Sequence, residues 1–210
     1  LLADVVFSST FRAEDVSTAK GVILEEIGEA NDNPDDLAHE TFVRSFWRGH
    51  PLGAPILGTA ETVRGITPGD LRRYYRKTYT PRNLIVSVAG HARKGEVVRA
   101  VERLRRRERF RSGKRLRGVA RLAPPAARQH ALLQSRPSLA QAHLCLGMEG
   151  PAATSNRRFA ANLVDIVLGA GMSSRLFQQV REKRGLAYSI TSSLSAYRAG
   201  GYEAVYAACA

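Results

Sequence analysis

The sequence predicts an α+β protein of 210 residues. Helical and strand-like segments alternate without the steady strand–helix–strand rhythm of a parallel α/β sheet. The hydrophobic fraction is 44% and the charged fraction 24%, which is typical of a chain that folds around a core. No apolar stretch approaches the roughly 18–20 residues that a bilayer crossing needs, so no membrane span is expected.

The N-terminal half is predicted to hold four helices and one strand. Val16, Ile23 and Ile27 repeat at helical spacing, and Pro34 ends that helix. Thr67 and the residues after it form a helix start with a capping residue, a proline at the first helical position and an acid three residues on. The predicted elements are helices at 14–30, 35–47, 68–79 and 96–107 and a buried strand at Leu84–Gly90.

The C-terminal half is predicted to mix strands with two helices. Residues 111–135 show no apolar periodicity and are rich in glycine, proline, alanine and arginine, which indicates an interdomain linker. We therefore expect one domain at 1–110 and a second at 136–210. The predicted elements of the second domain are strands at 143–147, 190–194 and 202–209 and helices at 155–168 and 173–183.

Charge is unevenly distributed along the chain, although the net charge is +13. Residues 1–40 carry ten acidic and two basic side chains, a net of −8, whereas residues 93–128 carry fourteen basic and three acidic side chains, a net of +11. The arginine-rich run Arg103–Arg107 has two interpretations, a solvated helix end or a non-specific contact with a phosphate backbone. The run has almost no interleaved aromatic residues and no nucleic-acid module surrounds it, so we expect no nucleic-acid partner.

Glu26 is the residue of the first helix that most needs an explanation. At 100° per residue it lies beside the apolar stripe, next to Val22, Ile23 and Ile27, whereas Glu25 points to solvent. A carboxylate in apolar surroundings needs a cation or hydrogen-bond donors to offset its desolvation. A glutamate at the edge of a stripe also often reaches water with its carboxyl group. The pattern alone therefore leaves a metal ligand and a solvated side chain both open.

Several longer motifs follow one another along the chain. They are, in order, Lys20–Ile27, Asp32–Asp36, His50–Gly53, Pro55–Gly58, Tyr79–Leu84, Gly171–Phe177 and Val180–Ser189. Together they resemble the M16 family of zinc metallopeptidases, which includes pitrilysin, insulin-degrading enzyme and the mitochondrial processing peptidases. The similarity covers nearly the whole chain apart from residues 111–135, and the short bacterial type fits best.

The resemblance implies a zinc-dependent metalloendopeptidase that cleaves peptides or unfolded protein segments. In the family, an inverted His-x-x-Glu-His helix supplies two histidine ligands and the general base, and a downstream glutamate, here Glu26, completes the zinc site. Three protein ligands leave one position for a water molecule, whose lowered pKa makes it a nucleophile near neutral pH. Arg181 and Tyr188 match the family residues that hold the peptide or its tetrahedral intermediate, where such donors stabilise developing charge.

Two departures from the family pattern bear on activity. No His-x-x-Glu-His is present among the five histidines, and the sequence starts with Leu1 rather than methionine. We therefore expect the motif to lie upstream, both domains to be incomplete here, and the isolated chain neither to retain zinc nor to cleave peptides. Ala19 stands where the family often has a supporting glutamate, seven residues before Glu26. The alternative is accordingly a non-catalytic homologue that acts as a scaffold or a peptide-binding subunit.

The resemblance also implies a fold for each half, pairing with another subunit and a cellular compartment. Each half is expected to be a two-layer sandwich of mostly antiparallel sheet flanked by helices. The two halves close around an extended peptide, and family members often pair as homo- or heterodimers with another M16 subunit. The bacterial-type motifs favour a bacterial protein of the cytoplasm or periplasm.

Overall fold

The computed structural model describes residues 2–107, 122–128 and 131–209 and confirms the α+β class. The helices are α1 (Leu2–Phe7), α2 (Ala13–Asp32), α3 (Pro34–Phe46), α4 (Ala60–Gly65), α5 (Pro68–Thr78), α6 (Lys94–Arg107) and α7 (Arg157–Leu168). The strands are β1 (Ala142–Gly150), β2 (Ser189–Ala196) and β3 (Gly201–Cys209), and short 3-10 turns lie at Pro51–Gly53 and Pro81–Asn83. The predicted helix at 173–183 is shorter, and its main part is the π-helical segment Phe177–Glu182. Among the helices described, none has the length and apolar character to cross a membrane.

Contacts divide the chain into two compact units, Leu1–Ile23 with Glu61–Ala120, and Leu24–Ala60 with Arg121–Ala210. Helix α2 contributes residues to both units. Of the predicted linker, residues 111–121 and 129–130 lie outside the described ranges, and residues 122–128 and 131–135 form no regular secondary structure. The division into domains at 1–110 and 136–210 stays a prediction.

The regular elements described in the first unit are helices, and the start of α5 is set by a capping interaction. The side chain of Thr67 accepts a hydrogen bond from the Asp70 N–H, and the Asp70 carboxylate accepts one from the Thr67 N–H, which completes the predicted capping box. The hydrogen bonds from Thr67 lower the pKa of Asp70. Lys20 donates to the backbone oxygens of Arg64 and Ile66 at 2.5 and 3.0 Å, so a residue of α2 holds the end of α4.

The predicted strand Leu84–Gly90 is wrong. Residues 84–89 form no ladder, and Ile85 is 93% exposed. The β-branched composition is that of a strand, but a strand needs a partner to satisfy its backbone groups. No described residue of this unit supplies one.

The second unit is organised by β3, the central strand of a three-stranded antiparallel sheet with the order β1-β3-β2. Tyr202 and Ala204 lie on one face and pack against Phe46 and Trp47 at the end of α3. The α3–β1 approach is close enough that a Cβ on Gly147 would overlap the ring of Phe42. Alternate β3 residues face the other side, where Ala207 joins a cluster with Ala187 and Ile190. Both faces of β3 are therefore part of the core.

A carboxyl group is buried on the second face of β3. Glu203 is 8% exposed, and its Oε1 has no hydrogen-bond partner among the described residues. Asp165 of α7 is also buried and accepts a hydrogen bond from the hydroxyl of Ser192 on β2. Burial raises the pKa of Glu203 to about 7, and the neighbouring Asp165 carboxyl adds to the shift. Protonated Glu203 is the form that the fold favours.

Stability should therefore decrease as the pH rises through this range. The unfolded chain titrates Glu203 near 4.5 and the folded chain near 7, so between these values the folded state holds more protons. We predict that the free energy of unfolding, measured with urea, is lower at pH 8 than at pH 5 by roughly 1–3 kcal/mol because of this group. Glu203→Gln should abolish that part of the pH dependence, whereas Glu40→Gln, at an exposed site, should leave it intact. An unchanged slope in Glu203→Gln would contradict the assignment.

Candidate functional site

Arg181 and Tyr188 come together at one exposed place on the second unit. The Arg181 guanidinium carbon lies 5.8 Å from the centre of the Tyr188 ring and 4.7 Å from that of Phe177. Both distances are within the range of cation–π attraction. Tyr188 is 73% exposed, and the Arg181 side chain is also open to solvent, with Glu182 at the outer limit of an ion pair, 3.9 Å. The two residues that the sequence predicts to act together are thus neighbours.

A sharp reversal after the π-helical segment produces this arrangement. Gly185 has a left-handed φ of +61°, and its N–H donates to the Arg181 carbonyl oxygen at 3.0 Å. The Leu186 N–H donates to the Val180 oxygen, also at 3.0 Å. Gly185 tolerates this backbone conformation because it has no Cβ. The chain then turns back, and the Tyr188 N–H joins the sheet through the Ala208 oxygen at 2.9 Å.

Arg181 and Tyr188 offer a positive charge and hydrogen-bond donors to a bound molecule. A guanidinium presents five N–H donors in a planar fork, and it stays charged at any physiological pH. A phenol adds one further O–H donor. Because both groups are exposed, they have donors to offer to a carbonyl or carboxylate oxygen of a bound chain.

One interpretation of the sequence is that the Glu26 carboxylate points partly inward, but the structure does not place it there. Glu26 is exposed on α2, and so is Val22, which is 51% exposed. Val16 is the only buried residue of this helix. Ile23 and Ile27 are half-buried, so Glu26 lies in solvent beside a partly covered stripe, which agrees with the solvated alternative that the pattern left open. Ala19, two turns earlier on the same helix, is exposed as well.

Glu26 is the described residue that the family resemblance assigns to a zinc site. Within the described ranges no group of three histidine, cysteine, aspartate or glutamate side chains is placed to hold a metal ion. Glu26 has no ion-pair or hydrogen-bond partner among these residues, so its carboxylate has open coordination sites. A glutamate oxygen is a usual zinc ligand. Glu26 fits the metal as one ligand, and the remaining ligands would have to come from other residues.

Sequence reasoning missed the acid pair formed by Asp165 and Glu203. A signal was present, because Glu203 interrupts an otherwise apolar strand, where an isolated carboxylate is costly. The position of its partner could not be read, since Asp165 is 38 residues away on another element.

Comparison with known protein families assigns the chain. Residues 1–60 match the family model described as insulinase (peptidase family M16), and residues 65–210 match the one described as the peptidase M16 inactive domain. The chain belongs to peptidase family M16. Glu26 lies in the part of this M16 chain that matches the insulinase model, and Arg181 and Tyr188 lie in the part that matches the inactive domain.

The chain is also similar to individual relatives and solved structures. An uncharacterized zinc protease of Streptomyces coelicolor is 42% identical over the whole chain, which covers 46% of that protein. A crystal structure of a peptidase M16 inactive domain from Pseudomonas fluorescens superposes with a TM-score of 0.80 at 24% identity over 99% of the chain and 49% of its own length. A chain of complex III2 from Candida albicans superposes with a TM-score of 0.77 at 15% identity, over 99% of this chain and 49% of that one, a likeness of fold. The M16 chain thus spans about half the length of the relatives that it matches.

We predict that the reversal at Gly185 contributes measurably to stability. In Gly185→Ala the new Cβ meets no atom within 4 Å, so the cost comes from the left-handed backbone alone and should be about 1 kcal/mol in urea unfolding. Gly171→Ala is the matched control, because its Cβ also meets no atom and its φ is not in the left-handed region. Equal effects of the two substitutions would contradict this account of the turn.

Proposed function

We propose that this M16 chain is the part of a zinc-dependent metalloendopeptidase that contributes one metal ligand and the substrate-holding donors. The observation that carries the proposal is the pairing of Arg181 with Tyr188 at an exposed turn. Membership of the M16 family and relatives that are named zinc proteases support it.

Within this proposal the residues of the chain have separate roles. Glu26 offers an exposed carboxylate to the metal, together with two imidazoles from outside this chain. Zinc, when bound, would supply Lewis-acid chemistry and a water of lowered pKa. Arg181 and Tyr188 donate hydrogen bonds to the carbonyl oxygen of the scissile peptide as negative charge develops there. Donors of this kind stabilise a transition state more than a ground state when they are already in place.

The alternative is a non-catalytic M16 homologue that binds or scaffolds peptides. Ala19 favours it, because the helix face that carries Glu26 has no second carboxylate at that position. Pairing with another M16 subunit, and a bacterial cytoplasm or periplasm as the setting, belong to the proposal in either case. The relatives reported above include a bacterial protein.

The metal role of Glu26 is tested on the natural polypeptide that contains residues 1–210. Glu26→Gln keeps the size of the side chain but removes the anionic ligand. Zinc affinity, measured by competition with a chelating dye, should fall at least about 100-fold, since even partners of the ligands contribute 10–100-fold. Glu25→Gln, one position away, should retain zinc. Unchanged zinc affinity in Glu26→Gln would refute the proposed ligand.

The role of Arg181 is tested by peptide hydrolysis. Arg181→Ala should lower kcat/KM about 10²–10³-fold with zinc content unchanged, because one transition-state donor is removed. Arg181→Lys should recover part of the loss, since the charge remains but the fork of donors does not. Arg184→Ala, an exposed arginine three residues on, is the control. A polypeptide that holds zinc and cleaves no peptide would instead support the non-catalytic homologue.

A further inference from the structure

The Arg181 guanidinium lies closer to the ring of Phe177 than to the ring of Tyr188. Its central carbon is 4.7 Å from the centre of the Phe177 ring and 5.8 Å from the centre of the Tyr188 ring. A cation near a ring face is attracted by the ring quadrupole, and the attraction weakens with distance. Phe177 is therefore the nearer aromatic neighbour of this cation.

The two rings are the main contacts of the Arg181 side chain among the described residues. Its other partner there is Glu182, whose Oε1 is 3.9 Å from the Arg181 Nε, too far for a hydrogen bond. The Arg181 side chain is 41% exposed, so part of it is covered. A carboxylate in hydrogen-bond contact would fix the guanidinium by using its N–H donors, whereas a ring face fixes it and leaves those donors unused.

The backbone that carries Phe177 is anchored to the core of the second unit. Phe177 begins the π-helical segment, and its side chain is half-buried. Leu176 and Val180 on the same segment pack against the buried cluster that contains Ala207. The Phe177 N–H also donates to the hydroxyl of buried Ser174 at 3.4 Å. The Phe177 ring therefore projects from a fixed base.

The π-helical segment sets the spacing between the ring and the cation. The Lys183 N–H donates to the Gln178 oxygen, five residues earlier, at 3.1 Å. Segments of this kind are rare and occur frequently at functional sites. Phe177 and Arg181 are four residues apart, a spacing that brings side chains to the same side of a helix. One turn of the chain thus presents the ring and the guanidinium together.

We propose that Phe177 is a positioning residue, whose ring holds the Arg181 guanidinium beside Tyr188 and leaves its N–H donors available to the substrate. The effect on hydrolysis rests on the proposed function, but the contact itself can be measured without hydrolysis. A donor that is already in place needs no further ordering when the transition state forms. In this role Phe177 acts through Arg181.

The first test detects the contact by NMR, on the natural polypeptide that contains residues 1–210 and carries nitrogen-15 in its arginines. The ring current of Phe177 should shift the Arg181 Nε–H proton to high field, and Arg181→Lys assigns this resonance by removing it. Phe177→Leu keeps an apolar side chain without a ring, so the resonance should move toward that of solvated arginines. Phe177→Tyr should restore the shift. A resonance unmoved by Phe177→Leu would overturn the proposal.

The second test measures peptide hydrolysis by the same polypeptide. Phe177→Leu should lower kcat/KM about three- to tenfold, as expected for the loss of one cation–π contact, with zinc content unchanged. Phe177→Tyr should recover most of this loss. Phe159→Leu is the matched control on α7, because the Arg158 guanidinium carbon also lies 4.7 Å from the centre of the Phe159 ring. It should leave kcat/KM unchanged.

A double-mutant cycle separates the positioning of Arg181 from a general loss of structure. In the Arg181→Ala background, Phe177→Leu should change kcat/KM less than about twofold, because no guanidinium is left to hold. Equal losses in both backgrounds would indicate a structural effect and overturn the proposal. A polypeptide that binds zinc and cleaves no peptide would contradict the proposed peptidase, and the Arg181 resonance then decides the positioning role alone.

Discussion

The burial of β3 on both faces is the constraint on which the second unit depends. Among the strands that the structure describes, β1 and β2 each pair only with β3. Tyr202 of β3 packs against Phe46 and Trp47 on one face, and Ala207 packs with Ala187 and Ile190 on the other. The position of Tyr188, next to the start of β2, depends on the same strand, because its N–H donates to the Ala208 oxygen of β3.

β3 also buries a carboxyl group, and burying a charged carboxylate is unfavourable. Glu203 lies in the buried row that faces α7, next to Asp165 and Ser192. Two neighbouring acids cannot both ionise cheaply in a dry environment, so a proton is retained near neutral pH. The hydroxyl of Ser192 donates to the Asp165 carboxylate, and burial raises the pKa of Glu203 to about 7. The protonation of Glu203 is thus coupled to the packing of β3, β2 and α7 around it.

Local chemistry made several features predictable from the sequence. The capping box at Thr67 and Asp70, the end of α2 before Pro34 and the strands of the second half are encoded within a few residues of where they form. Family motifs identified Arg181 and Tyr188, and the structure brings the pair together. Two expectations, the strand at Leu84–Gly90 and the inward position of Glu26, failed for the same reason. Leu84–Gly90 has the composition of a strand, and Glu26 lies beside an apolar stripe, but both expectations required a partner surface from residues far away in the chain.

The sequence by itself determined the α+β class, the M16 motifs and the identities of the residues proposed to act, because these depend on side-chain chemistry and short-range spacing. Only the tertiary structure decided which residues have partners. It put the Arg181 guanidinium beside the Tyr188 ring, set Glu203 against Asp165 and left Glu26 in solvent. The physical reason is that burial, pKa and strand pairing are properties of a site's surroundings, and those surroundings are assembled from elements that the chain brings together only when it folds.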